Sequence, residues 1–239
     1  MPLKMKPQLK PYDYIFDFKL LSEWVEKNAQ TELPLAFTNT PVRKNAIVLD
    51  LDDTLVCNGT IDQPNAFYAG SYCRVPRKHV SEFFRLVAPW YQQVCIFTSG
   101  SDRYAWHAVD ELQHKGILGR INYVFNYNDL KLRRKDLTVL PNATLKSIVL
   151  VDDNPLTPPT LQLGNVLQFP DNSDIQDPFM IKIGVPLLRL LSQVDDIPME
   201  LARLKELWKA AGIVKSGLYE PTSMMKKLLY RIEDFLYDY

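Results

Sequence analysis

The sequence has no surplus of charge: Lys and Arg together number 28, Asp and Glu together number 28, and the formal net charge is zero. That balance argues against a general nucleic-acid or membrane-surface binder, since either needs a basic excess. Cysteine is scarce. Cys57, Cys73 and Cys95 form no CxxC pair, and the natural reading is structural thiols in a reducing compartment. His79, His107 and His114 show no metal-ligand spacing. No apolar run approaches membrane-spanning length, and the opening MPLKMKPQLKP carries charge and proline without the apolar centre of a signal peptide. These absences point to a cytoplasmic protein with no visible address.

What is present suffices for a core. With 239 residues, 46% hydrophobic and 11% aromatic, the chain holds one sizeable α/β domain with an appendage, or two small domains. Its organising stretch is AIVLDLDDTLV, residues 46–56. The apolar run Ala46-Ile47-Val48-Leu49 breaks abruptly into Asp50-Leu51-Asp52-Asp53-Thr54, which reads as a buried parallel strand delivering acids at its C-terminal end. Ligands of open α/β sheets collect there. Alternation starts Asp50, Asp52 and Thr54 on one side and Leu51 and Leu55 on the other. Carboxylates sharing so small a space call for a divalent cation, a shared proton, or both. A calcium loop is the rival reading, but the stretch lacks the mid-loop Gly and terminal Glu of that motif.

Residues 1–45 read as a lead-in: a Lys/Pro segment, an amphipathic helix with Phe18, Leu21, Trp24 and Val25 on one face, and a linker holding Pro34 and Pro41. The helix is expected to pack on the sheet edge. Residues 57–75 are too short for a domain but long enough for a small hairpin or lid beside the acids. A helix follows with Val80, Phe83 and Phe84 on one face. VCIFTSG (94–100) is a buried strand ending in Thr98, with a helix over 101–114 directly behind it. INYVFN (121–126) gives a short strand, SIVLV (147–151) breaks into Asp152-Asp153-Asn154-Pro155, and 165–169 is the last strand. This alternation predicts an α/β fold, an open, mostly parallel, doubly wound sheet with helices on both faces. Beyond residue 177 the pattern is helical: 179–194, interrupted by Gly184 and Pro186; 198–211, ending at Gly212; and a third helix from 220 with Met225, Leu228, Leu229, Ile232, Phe235 and Leu236 on one stripe. The last stops at Tyr239 without a C-cap glycine, which suggests a chain cut from something longer or a helix that docks.

Four strand ends thus offer Asp50, Asp52 and Thr54; Thr98; Lys135; and Asp152 with Asp153. In that order they resemble the haloacid dehalogenase superfamily of phosphohydrolases. More narrowly, DLDDTLV, RKHVSEFF, IFTSGSDRYA, KDL and VLVDDNP are similar to the FCP/SCP-type protein phosphatases, also called NLI-interacting-factor-like. The likeness covers residues 46–194, so the expected organisation is an N-terminal helix and linker over 1–45, a phosphatase domain over 46–194 and a helical extension over 195–239. The resemblance implies a Mg²⁺-dependent phosphoprotein phosphatase working through an aspartyl-phosphate. It makes Asp50 the nucleophile and Asp52 the acid and then base, with a pKa raised by acidic neighbours. Thr98 and Lys135 steady the phosphoryl group, and the Mg²⁺ is held by Asp50, the Asp52 carbonyl and Asp153. Asp152, Thr54 and Ser99 stand behind these as supports. Lys131 and Lys146 compete with Lys135, which is followed by Asp-Leu as in the family.

The superfamily's large caps are missing from the spacing, so the site is expected to be open, which suits a phosphorylated side chain on a protein better than a free metabolite. Phe67, Tyr68, Tyr72, Tyr104 and Asn126 are candidates to line the substrate slot. Asn126 stands where relatives commonly carry Arg, and Lys78 where they carry Pro, so Ser/Thr-Pro specificity does not carry over, and phosphotyrosine and phosphoserine/threonine rank level. Two other readings stand beside this one: a phosphopeptide-binding or scaffolding module acting through partners on the C-terminal helices, and a small-molecule or nucleic-acid-end phosphatase. Eukaryotic-like members of the superfamily also occur among proteins secreted by intracellular bacteria into host cells, a setting the extra helices fit.

Overall fold

The computed structural model describes residues 17–33, 43–171 and 178–213. The stripe expected from residue 220 onward, the Lys/Pro lead-in and Pro34 and Pro41 lie outside these residues. Strands β1 (Ala46–Leu49), β5 (Gln93–Phe97), β6 (Tyr123–Phe125), β7 (Ile148–Asp152) and β8 (Val166–Gln168) form one sheet in the order β6-β5-β1-β7-β8, every pair parallel. The acid-bearing strand is therefore the central one. Its apolar residues divide by alternation: Ile47 and Leu49 join Val94, Ile96, Val149 and Val151 in one core, while Ala46 and Val48 join Cys95, Phe97, Ile148 and Leu150 in another. A run buried on both faces has no polar side to show, which is why the strand reads as continuous hydrophobe.

The first core is the larger. It takes buried side chains from helices α1 (Phe18–Glu32), α2 (Val80–Val87), α3 (Asp102–His114), α4 (Val185–Leu191) and α5 (Ile197–Ala210). The second face is closed by Leu137, Leu140 and Leu145 from single-turn 3₁₀ segments and the chain around them. Helix starts follow their capping residues: Asp17, Ser101 and Asp196 each accept a backbone N–H with their side chains. Gly212, at φ +73°, lies just past the end of α5.

Two expectations change. Helix α1 does not lie on the sheet edge. Its Phe18 and Trp24 meet Phe179 and Trp208 edge-to-face, at centroid distances of 5.3 and 6.2 Å, so aromatic residues late in the chain draw it onto the helical layer. Nor do Gly184 and Pro186 interrupt a helix. Met180–Gly184 form a π turn that runs directly into α4. Pro186 falls in the first turn of α4, where a missing N–H is tolerated. Gly184 is needed for space, because a Cβ there would sit 2.5 Å from Cζ of the buried Phe169 ring. Gly184→Ala is expected to destabilise by about 1–3 kcal/mol through overpacking, more than the helix propensity it gains. A lower urea midpoint with unchanged slope is the sign to look for.

Between β1 and α2 the chain builds a flap. Strands β2 (Val56–Asn58), β4 (Tyr72–Pro76) and β3 (Phe67–Ala69) form an antiparallel three-stranded sheet in that order, with Asn58 opposite Arg74.

Candidate functional site

The acids stand where the central strand stops. Asp50 follows β1 directly and its N–H bonds to the Val151 carbonyl, so the first acid is tied to the strand that carries Asp152. The chain then turns tightly, with the Leu55 and Val56 N–H groups on the Leu51 carbonyl and Asp53 at φ 60°. Acidic residues tolerate that left-handed conformation better than most. The turn buries Leu51 and Leu55 and leaves the acids clear of the core.

Lys135 is the cation among them. Its Nζ bonds to Oδ1 of Asp50 and, at 2.8 Å, to Oδ2 of Asp152, with all three side chains buried. Lys131 instead pairs with Asp136, and Lys146 with Asp196. Burial alone would discharge the Lys135 amine, but Asp152 and Asp50 outweigh it and hold the group above the usual lysine value. Burial pushes the Asp50 carboxyl well above its usual range; Lys135 pulls the other way, while Asp152 and Asp153 push further up. Asp152 is fully engaged, receiving Lys135, the Thr157 hydroxyl at 2.7 Å and the Asn154 N–H at 2.8 Å. Thr54 lies within hydrogen-bonding reach of Asp50 at 3.1 Å and Asp153 at 3.3 Å, and accepts the Asp153 N–H.

Oxygens of Asp50, Asp152 and Asp153 lie within 4.8 Å of one another. Three carboxylates face one ammonium, and Asp153 Oδ2 has no hydrogen bond among the described residues. Such a set of hard oxygens with uncompensated negative charge fits a small divalent cation, with Asp50 and Asp153 the acids best placed to hold it. Burial, then Asp152 and Asp53, raise Asp153 from 3.8 to about 6. Because the folded form binds this proton more tightly than the unfolded chain does, Asp153 lowers stability progressively as pH rises from 3.8 to about 6. Asp153→Asn is therefore expected to stabilise the chelator-treated protein at pH 7 by up to roughly 3 kcal/mol and to be neutral near pH 4. Thermal melts at the two pH values test this.

Asp52 turns to a different set of neighbours. The Thr98 hydroxyl donates to Oδ2 at 3.1 Å, the Tyr104 hydroxyl donates to Oδ1, and Arg74 Nη2 lies 2.9 Å from Oδ1. The expected acidic neighbours are thus replaced by a guanidinium, a phenol and an alcohol, because the flap folds back over this carboxylate. Burial and the Asp52 charge hold the Tyr104 phenol above its ordinary value, as a donor. Thr98 also accepts the Gly100 N–H.

The remaining candidates part company. Thr54, Thr98, Tyr104, Asp152 and Asp153 all belong to this network. Ser99 is exposed, since alternation turns it away from Thr98. Tyr68 and Tyr72 are 53% and 59% exposed but lie on opposite faces of the flap, Tyr72 on the face that carries Arg74. Phe67 is not at the surface; it packs into the main core beside Val56 and Ala69. Asn126 is buried and taken by its own chain, donating to Asp102 and capping a 3₁₀ turn through Asn128 and Asp129. Arg74, Asn58 and Thr157 are the site residues that sequence reasoning passed over. Arg74 had one signal, its i, i+2 relation to Tyr72, which puts both on one face of β4. A cavity of about 730 Å³ opens between flap and α2, lined by Pro64, Val75, Lys78, Glu82 and Arg85 among others, and none of Asp50, Asp52, Asp152 and Asp153 lines it. The Cys95 thiol is pushed up to about 12 by burial and is no nucleophile.

A family model described as NLI interacting factor-like phosphatase matches residues 45–198. Among solved structures, the chain is similar to Fcp1, an RNA polymerase II CTD phosphatase. The fission yeast protein bound to beryllium fluoride is 17% identical with a TM-score of 0.42, and the match covers 92% of this chain and 67% of that one. A second Fcp1 structure is 18% identical with a TM-score of 0.44, covering 92% and 65%. No curated protein matches the chain. No described helix is long and apolar enough to cross a membrane.

Proposed function

Because the chain belongs to the NLI interacting factor-like phosphatase family, we propose that it is a phosphoprotein phosphatase working through an aspartyl-phosphate on Asp50. The observation that carries this is the pairing of the buried Asp50 at the end of the central strand with Lys135 on one side and, two residues on, an Asp52 that faces the flap. Asp50 Oδ attacks phosphorus while the bond to the leaving oxygen breaks, and the Asp52 carboxyl gives that oxygen its proton. Asp52, now ionised, takes a proton from water; the water oxygen attacks phosphorus, inorganic phosphate leaves and Asp50 is restored. Lys135 holds Asp50 in line and screens the charge that gathers as two anions meet. Thr98 positions Asp52 and, with the backbone of the turn behind it, faces the phosphoryl oxygens at the start of α3.

The family generally uses Mg²⁺, and Asp50, Asp153 and the Asp52 carbonyl would hold it here; when bound, it supplies the positive charge that lets an anionic carboxylate approach a phosphate ester. We read the substrate as a phosphorylated side chain on a protein, because among the described residues only the small flap stands beside the acids. Phosphotyrosine is favoured over phosphoserine/threonine by the exposed Tyr72 ring, which stands edge-to-face at 6.1 Å on the buried Tyr104 and offers a wall for a phenyl group. A phenol, with pKa about 10, is also the easier leaving group. The apolar stripe of α5, Ile197, Leu201, Leu204 and Trp208, is buried in this chain's own core and leaves no such face for a partner.

Phosphate release with Mg²⁺ from matched phosphotyrosine and phosphoserine peptides tests the reading. Turnover of the phosphotyrosine peptide with kcat/KM at least about tenfold higher supports it; a preference for phosphoserine removes the aromatic-wall argument, and inertness toward both removes the protein substrate.

A further inference from the structure

Three donors converge on the Asp52 carboxylate, and they come from three elements. Thr98 directly follows β5 and Tyr104 lies in α3, both parts of the frame; Arg74 belongs to β4 at the centre of the flap. Together they engage both carboxylate oxygens. Arg74 is itself held. Its Nη1 bonds to Oδ1 of Asn58, its cross-strand neighbour, and its guanidinium carbon lies 5.2 Å from the Tyr72 ring centroid and 5.4 Å from that of Tyr104. The side chain is only 11% exposed, and its Nε is buried without a hydrogen-bond partner among the described residues. An arginine set this way is costly to the fold, so stability is a poor reason for it to be there. Its planar fork and stacking are features that a lysine does not reproduce.

We propose that Arg74 is a positioning residue, which holds the Asp52 carboxyl toward the leaving-group oxygen and makes flap and acid–base group one unit. This rests on the reading of Asp50 as nucleophile and Asp52 as acid. A misaligned Asp52 still faces the site but delivers its proton late. The defect therefore grows with the basicity of the leaving oxygen, being largest where the departing group most needs a proton and small where it leaves readily as an anion.

The test uses phenyl phosphate and p-nitrophenyl phosphate, which share a ring and differ in leaving-group basicity, with wild type, Arg74→Ala and Arg74→Lys. Arg74→Ala is expected to lose about 30-fold in kcat/KM, which reports the step in which the leaving group departs, on phenyl phosphate and about threefold on p-nitrophenyl phosphate, with Arg74→Lys in between. Retained turnover of the activated ester shows that the variant is folded and loaded with Mg²⁺. An equal loss on both esters overturns the proposal in favour of a general structural role or of substrate binding. If Arg74→Ala matches wild type while Asp50→Asn is silent, positioning fails and the site stands; if Asp50→Asn turns over like wild type, the reading beneath both fails.

Discussion

Asp50→Asn is expected to lower phosphate release by about four orders of magnitude or more, the scale seen when a covalent nucleophile is removed, with no loss of stability. An amide cannot form the acyl phosphate, so both chemical steps go. The fold does not suffer because Asp50 is a burden to it: burial raises the carboxyl well above its usual range, and Asp152 and Asp153 add to that. Asparagine keeps an oxygen for Lys135 and turns its amide NH2 toward the Thr54 hydroxyl, which can accept, while removing one of three crowded charges. Phosphate release and a thermal melt on the same preparation give both answers. Residual activity above about 1% would sink the nucleophile assignment, and a large fall in melting temperature would mean that the charge does structural work.

Lys135→Met should do the opposite to the fold. The ammonium is buried between Asp50 and Asp152, 4% exposed, and losing it leaves carboxylates facing each other without a counter-charge. Breaking a buried pair on one side costs about 3–5 kcal/mol, and loss of a fixed charge from the reacting centre about 10²–10³-fold in kcat. The sign of the pH dependence follows from a lysine held above its unfolded value of 10.5. The stabilisation is fully present below that value and is lost only as pH rises through the folded one, so the wild type keeps it across pH 6–9. Divalent cation should recover part of the melting temperature of Lys135→Met, since it restores positive charge beside the same carboxylates. The double variant Asp50→Asn with Lys135→Met should be more stable than Lys135→Met alone, because it removes both partners. A Lys135→Met protein as stable as wild type without Mg²⁺ would show that the carboxylates relieve themselves by protonation instead.

Much of the site was legible because strand alternation and strand ends are local properties. The abrupt break from Leu49 into Asp50, the Thr98 that directly follows β5 and the acids after Val151 each announce themselves within a few residues, and a parallel sheet brings all such ends to one side. Lys135 was harder, since in the sequence only the Asp-Leu that follows it separates it from Lys131; in the fold its distinction is a backbone N–H on the Thr157 carbonyl and a side chain turned inward. The flap was illegible for a different reason. Which of its residues meets Asp52 depends on the register of β4 against β2, and one residue of slip would exchange Arg74 for Val75. For the same reason Phe67, an obvious aromatic for a binding slot, turns out to fill core. Asn126 was claimed by a turn only visible once Asp102 and Asp129 lie beside it.

The company kept by α1 has a consequence for biosynthesis. Its partners arrive late: Phe179, Lys182, Arg203, Trp208 and the Ile213 carbonyl that receives the Asp17 N–H all come from beyond residue 178. At roughly 5–20 residues per second on the ribosome, the apolar stripe of Leu21, Trp24 and Val25 waits on the order of ten seconds or more before these partners exist. During that interval the nascent chain presents a sticky helix, a natural client for a holdase. A shortened chain limited to residues 45–198 would remove α1 and nearly all of α5 together, taking Phe18 off the Phe179 ring that the full chain keeps buried.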